Sequence, residues 1–259
     1  MAIAAMVQNA SPVRKALYVR SVREATVAQC PTACSSCTLH STCLPCGLQQ
    51  TDDSMDELVY SRRRIHRGEH LYRAGDPFKF LYAFRSGFFK TYIDTPEGQT
   101  QVTAFPMAGD VLGLDGIETD KHRVSTVALE DGEVCMIPFA HFQAVALRSP
   151  ALLHQMHRMM SREIMREHSV MALLGGMRAE SRVATFLLAL SEKFAGRGYS
   201  AMQFNLRMTR EDIGSYLGLK LETVSRVLSR FQATNLIKAN LRSIEIVDMT
   251  GLKSLVPEL

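Results

Sequence analysis

Thr209-Arg210-Glu211-Asp212-Ile213-Gly214-Ser215-Tyr216-Leu217-Gly218-Leu219-Lys220-Leu221-Glu222-Thr223-Val224-Ser225-Arg226-Val227-Leu228-Ser229-Arg230-Phe231 is the stretch that decides the fold. Thr209 is a helix N-cap, with the Asp212 carboxylate three residues on to complete a capping box. Ile213 and Leu217 then share a buried helical face, and Gly218 ends the turn in a conformation glycine tolerates best. Leu219 is the apolar turn residue. A second helix, 221–231, turns Val224, Val227, Leu228 and Phe231 inward and leaves Glu222, Ser225, Arg226 and Ser229 outward. Two short helices joined in this way form a helix-turn-helix, the grammar of a reader of double-stranded DNA. The outward face has the chemistry that base edges require. Arg226 donates to guanine O6 and N7, Glu222 accepts from cytosine N4, and Ser225 serves either. The competing reading is a solvated Glu222–Arg226 pair worth about 0.3 kcal/mol. The capping and turn pattern favours DNA. Strands at 237–239 and 244–247, joined by 240–243, read as a wing whose Arg242 reaches a phosphate.

Charge points the same way. Between Asn205 and Ser243 seven basic residues face three acidic ones, an excess that equals the chain's whole net charge of +4. A polyanionic partner therefore meets the C-terminal part. A chain of 259 residues has room for two modest domains. No apolar run reaches the ~20 residues of a membrane span. Within 1–20 the basic residues follow the apolar pieces, the wrong order for a secretory signal. The expected location is the cytoplasm, with no membrane partner.

Upstream the pattern changes. From Val59 to about Ile137, short β-rich runs alternate with turn residues at intervals of about 7–12 residues, which predicts an all-β barrel or roll. Pro138 and Pro150 bracket a short helix, and a long one opens near Ser149. Leu153, Met160, Ile164, Met171 and Leu174 follow alternating steps of four and three along it, a heptad-like seam able to pair with a second copy of itself. Packing on the chain's own β-domain accounts for only part of that stripe. Glu167 falls in the same register, where it would meet its twin across a two-fold axis and weaken the pairing. Gly175-Gly176 breaks the long helix, and a second helix over 179–194 leads to the DNA-reading module. The predicted fold class is α+β. Its segments are an extension (1–29), a cysteine-rich loop (30–50), a β-roll (51–148), a dimerisation helix (149–176) and a winged helix-turn-helix (177–250).

Cys30, Cys34, Cys37, Cys43 and Cys46 crowd into seventeen residues, while the sixth cysteine, Cys135, stands far away. In a reducing compartment such crowding reads as metal or cluster ligation rather than disulfides. Cys30-x3-Cys34-x2-Cys37 also fits the spacing of radical S-adenosylmethionine enzymes, but those are built on repeated β/α units that this chain lacks.

The module quoted above resembles the recognition module of the CRP/FNR family, and most closely its fumarate-and-nitrate-reduction (FNR) branch. The likeness extends through Leu81-Tyr82-Ala83-Phe84-Arg85-Ser86-Gly87, Ala108-Gly109-Asp110-Val111-Leu112-Gly113 and Arg197-Gly198-Tyr199. It implies an N-terminal β-roll of the cyclic-nucleotide-binding type, a dimerisation helix and a C-terminal winged helix. It also implies that Glu222, Ser225 and Arg226 read an inverted TTGAT-type half-site. Cys34, Cys37, Cys43 and Cys135 match the branch's ligands for a [4Fe-4S] cluster, a set that suits thiolate-bound iron. Cys46 is extra and leaves a swap with Cys43 open. Zinc accepts four thiolates equally well, so it stays open too. Thr42 stands where other branch members carry a shielding leucine, which predicts easier access of oxygen. A cyclic-nucleotide receptor is disfavoured: Leu114 follows Gly113 where those receptors carry glutamate, and Arg123-Val124-Ser125 splits their Arg-Ser pair.

Together these readings predict an oxygen- and redox-responsive transcription regulator, not an enzyme. It binds DNA as a homodimer while the cluster is intact. RNA polymerase is a further expected partner, with the turn Asp94-Thr95-Pro96-Glu97-Gly98 as candidate contact.

Overall fold

The computed structural model describes residues 34, 37–39, 43–44, 58–96 and 98–257. The predicted extension 1–29, Cys30, Thr42, Cys46, residues 51–57 at the start of the expected roll, and Glu97 lie outside the described residues.

Among the described residues, eight strands form the N-terminal unit: β1 (Ser61–Ile65), β2 (His70–Tyr72), β3 (Phe80–Ser86), β4 (Phe89–Asp94), β5 (Thr100–Ala104), β6 (Val111–Leu112), β7 (Ser125–Ala128) and β8 (Gly132–Pro138). They make two antiparallel four-stranded sheets, ordered β1-β8-β3-β6 and β2-β7-β4-β5. Ile65, Phe84, Phe89 and Val134 are buried between them. The roll closes tightly at Gly87, whose φ is +93°; a Cβ there would lie 2.7 Å from the Gly132 Cα. Only glycine meets both demands.

Two helices follow, α1 (Phe139–Ala146) and the 27-residue α2 (Pro150–Gly176), about 40 Å long. The Ser149 hydroxyl caps α2 by accepting from the Leu152 N–H, and Pro150 takes the first helical position. Gly175 and Gly176 are the last residues of α2, so the expected break falls just after them. The Arg182 guanidinium holds this end by donating to the carbonyls of Leu174, Met177 and Leu217 at 2.9–3.0 Å. None of the described helices is long and apolar enough to cross a membrane.

The C-terminal unit comprises α3 (Ala179–Ala195), β9 (Gln203–Asn205), α4 (Arg210–Leu217), α5 (Leu221–Ala233), β10 (Ile237–Asn240), β11 (Ser243–Ile246) and α6 (Met249–Ser254). Its sheet runs β10-β11-β9, one strand more than the two-stranded wing predicted. Leu252 of α6 is fully buried, which carries the packed unit past the expected edge at 250.

The roll and the winged helix share a core. Phe88, Val102, Phe105 and Met107 of the roll pack with the cluster containing Val183, Phe186 and Leu217. Polar links seal the contact. The Ser215 hydroxyl donates to the Thr100 carbonyl at 2.9 Å and accepts from the Val102 N–H at 2.8 Å. Lys90 Nζ meets Asp212 Oδ1 at 2.5 Å, and Asp110 pairs with Arg197 at 2.7 Å and Lys193 at 3.2 Å.

Candidate nucleic-acid interface and cysteine site

The first helix of the reader forms as its sequence directs. Thr209 Oγ1 accepts from the Asp212 N–H at 3.0 Å, and Asp212 Oδ2 accepts from the Thr209 N–H at 2.9 Å. Gly218 closes the helix in the left-handed region at φ 61°. The helices approach closely at Gly214, where a Cβ would lie 2.5 Å from the Leu219 carbonyl oxygen. On α5, Val224, Val227, Leu228 and Phe231 are buried, Glu222 and Arg226 are exposed, and Ser225 is half-buried. Among the described residues, the α5 cation drawn into an ion pair is Arg230, 3.1 Å from Glu180. The wing turns at Leu241 (φ 52°), with Arg242 exposed beside it. Lys238, by contrast, pairs with Glu245 across the wing at 3.2 Å.

The predicted seam residues lie along one exposed face of α2. Leu153, Met160, Ile164 and Met171 are 40%, 37%, 53% and 63% exposed. Leu152, Met156, Met159 and Leu173 turn the other way, into the protein. Glu167 is half-exposed and accepts from Arg166 Nη2 at 2.8 Å. Arg166 also binds Glu163, so two carboxylates share one guanidinium and a net negative charge stays near the seam.

The remote Cys135 is the hinge of the cysteine site. It lies on β8, between β1 and β3, directly opposite Arg62 on one side and Ala83 on the other. Cys34, Cys37, Cys43 and Cys135 all line one small apolar cavity with Leu39, Leu58 and Ile137. Local turns bring the loop round: the Cys37 N–H donates to the Cys34 carbonyl at 3.1 Å, and the Cys43 N–H to Leu39 at 2.9 Å. All four described cysteines are free thiols. Burial pushes the Cys43 thiol up to about 12; a hydrogen bond from the Leu44 backbone opposes this, and Cys135, Cys34 and Cys37 add to it. Burial also raises Cys135, which Arg62 pulls back down through its charge and a hydrogen bond. Among the described residues no three His, Cys, Asp or Glu side chains converge on a single-ion site. Leu44, next to Cys43, packs in the same core cluster as Leu152, Met156 and Met159 of α2.

Sequence reasoning missed Arg62 and Arg85, which line this cavity. It also missed Asp115. Gly113 sits at φ 106°, and the Asp115 carboxylate accepts from the Arg123 and Val124 N–H groups at 2.8 and 3.3 Å. His122 Nδ1 is 3.4 Å away. Burial alone would raise Asp115, but these hydrogen bonds outweigh it and hold the carboxyl below its usual range. No local signal marked Asp115, because its amide partners lie eight and nine positions along the chain, beyond the neighbouring backbone that a short carboxylate usually caps.

The chain matches two domain families, the cyclic nucleotide-binding domain over residues 62–149 and the Crp-like helix-turn-helix domain over 181–255. It is 47% identical over 224 residues to the transcriptional regulatory protein btr of Bordetella pertussis, covering 86% of this chain and 93% of that one. The transcriptional activator protein anr of Pseudomonas aeruginosa is 44% identical, over 86% of this chain and 91% of its own. The fumarate and nitrate reduction regulatory protein of Vibrio cholerae is 39% identical, over 87% and 91%. The solved structure of FixK2 from Bradyrhizobium japonicum superposes with a TM-score of 0.71 at 29% identity, over 77% of this chain and 98% of that one. With its reader helices formed as described and its relatives regulators rather than enzymes, the chain belongs to the CRP/FNR family of DNA-binding transcription regulators.

Proposed function

We propose that this regulator responds to oxygen and redox state by binding DNA as a homodimer while Cys34, Cys37, Cys43 and Cys135 hold a [4Fe-4S] cluster. One observation carries the reading: four thiols from segments about ninety residues apart line a single apolar cavity. The donor set fits. Four thiolates suit a cubane cluster; zinc takes the same donors, so iron and sulfide content decides between them. Such a cluster supplies redox chemistry that oxygen destroys. The chain's own part is mechanical. Leu44 belongs to the core cluster that also takes in Leu152, Met156 and Met159 of α2, so ordering the loop steadies the helix whose outer face is the seam. Glu167 and Glu163 keep that seam weak, which makes pairing depend on the loop. Relatives named for fumarate and nitrate reduction support a redox-linked signal.

A paired molecule presents two α5 helices to an inverted TTGAT-type repeat, with Glu222, Ser225 and Arg226 as readers and Arg242 on a phosphate. RNA polymerase is the expected second partner. The β4–β5 turn that would meet it is a hairpin closed by the Thr95 N–H on the Gln99 carbonyl at 2.7 Å. Cyclic-nucleotide sensing is disfavoured because Asp115 already fills the Arg123 and Val124 amides, and a phosphate there would face a carboxylate. The test is anaerobic purification with iron and sulfide analysis and an absorption spectrum. About four of each per chain, lost when Cys34, Cys37, Cys43 or Cys135 becomes serine, is the expected result. Zinc in place of iron and sulfide would refute it.

A further inference from the structure

We propose that Arg62, seconded by Arg85, is the counter-charge that holds the cluster's electrons against dioxygen and so sets the sensor's response to oxygen. This rests on the cluster reading above and concerns residues that reading does not use. Arg62 is a buried side chain, 8% exposed, on a wall made, apart from Arg85, of cysteines and apolar side chains. The sheet register fixes its place, opposite Cys135 across the β1–β8 ladder. A one-residue slip would send it to the other face. Arg62 and Cys135 line the same cavity from these neighbouring strands. Arg85 enters the same cavity from β3, the strand on the other side of β8. Its guanidinium pairs with Glu133 at 2.5 Å, and its side chain is 39% exposed. Arg62, the more deeply buried of the two, acts through the lower dielectric and has the larger effect.

The chemistry follows from charge. Cluster potentials depend on net charge, hydrogen bonds to sulfur and exposure to solvent. Four thiolates leave the group anionic, and a guanidinium on a ligand sulfur favours the electron-rich form. Dioxygen is the oxidant; it takes one electron and leaves as superoxide. A cation beside the donor sulfur opposes that loss, more strongly in a buried site than in water.

The test is the decay of cluster absorbance in air, with the midpoint potential, in anaerobically purified wild type, Arg62→Gln, Arg62→Lys and Arg85→Gln. Iron and sulfide in the wild type come first: their absence refutes the cluster reading itself, separately from this one. Arg62→Gln should lose its cluster about tenfold faster, with the potential about 59 mV more negative, the one-electron equivalent of tenfold. Arg62→Lys keeps the charge and should stay near wild type, whereas a side chain that only fills space would make lysine and glutamine alike. Arg85→Gln, at a partly exposed side chain, should speed decay about threefold and decides the matter if Arg62→Gln does not fold. Fully loaded variants with wild-type decay and potential would overturn the proposal.

Discussion

Asp212 illustrates how much one side chain carries. It completes the capping box of α4 and, through Lys90, ties the reader to the roll. Burial would raise its carboxyl, but hydrogen bonds from Lys90 and Thr209 outweigh burial and hold it below the usual range. A lowered folded pKa gives stability that is fully present above the unfolded value near 4 and is lost as pH falls through the folded one. Asp212→Asn should therefore cost about 1–2 kcal/mol at pH 7, and its deficit in urea melts should shrink below about pH 4. An undiminished deficit at pH 3 would contradict the ion-pair account. The cap itself was legible in Thr209-Arg210-Glu211-Asp212, because it is local. The partner Lys90 was not, because nothing in sequence marks a residue 122 positions away as its neighbour. Cys135 was legible only through family resemblance; alone, it reads as a small buried hydrophobe.

At the scale of elements, α2 and α5 were legible for the same reason: each writes its exposed and buried faces in a helical period. Arg226→Ala on α5 should cost about 1–3 kcal/mol on the preferred operator and relax discrimination at one base pair. Binding curves on a panel of single-base variants check this, and uniform weakening across the panel would make Arg226 a phosphate contact. On α2 the sequence placed Glu167 in the seam but not Arg166 under it. The shared guanidinium leaves one net negative charge per subunit. Glu167→Ala should then tighten apo-protein dimerisation by about fivefold, the scale of an exposed charge interaction, read by sedimentation. An unchanged dissociation constant would remove repulsion from the account. In the roll, the strands were legible as alternating runs, while Asp115 emerged only once the turn at Gly113 brought it onto the Arg123 and Val124 amides. Cyclic AMP should accordingly leave DNA affinity and melting temperature unchanged, and a rise in melting temperature on titration would reverse that expectation.

Across the whole molecule, the joint between domains is what sequence could not supply. Phe88, Val102 and Phe105 read as ordinary roll residues, yet they share a core with the winged helix. Ser215 in the reader bonds to the edge strand β5. Leu44, α2 and the reader are thus linked: Leu44 shares a core cluster with Leu152 of α2, Arg166 of α2 donates to the Thr103 carbonyl of β5, and β5 holds α4. Linkage requires that whatever orders the loop and tightens the dimer also tightens DNA binding. The most direct test is the affinity of one anaerobic preparation for a duplex carrying the inverted repeat, measured before and after exposure to air. A fall of more than tenfold, as each separated subunit keeps a single half-site, is the predicted result. Equal affinity in a sample that has lost its iron and sulfide would contradict it.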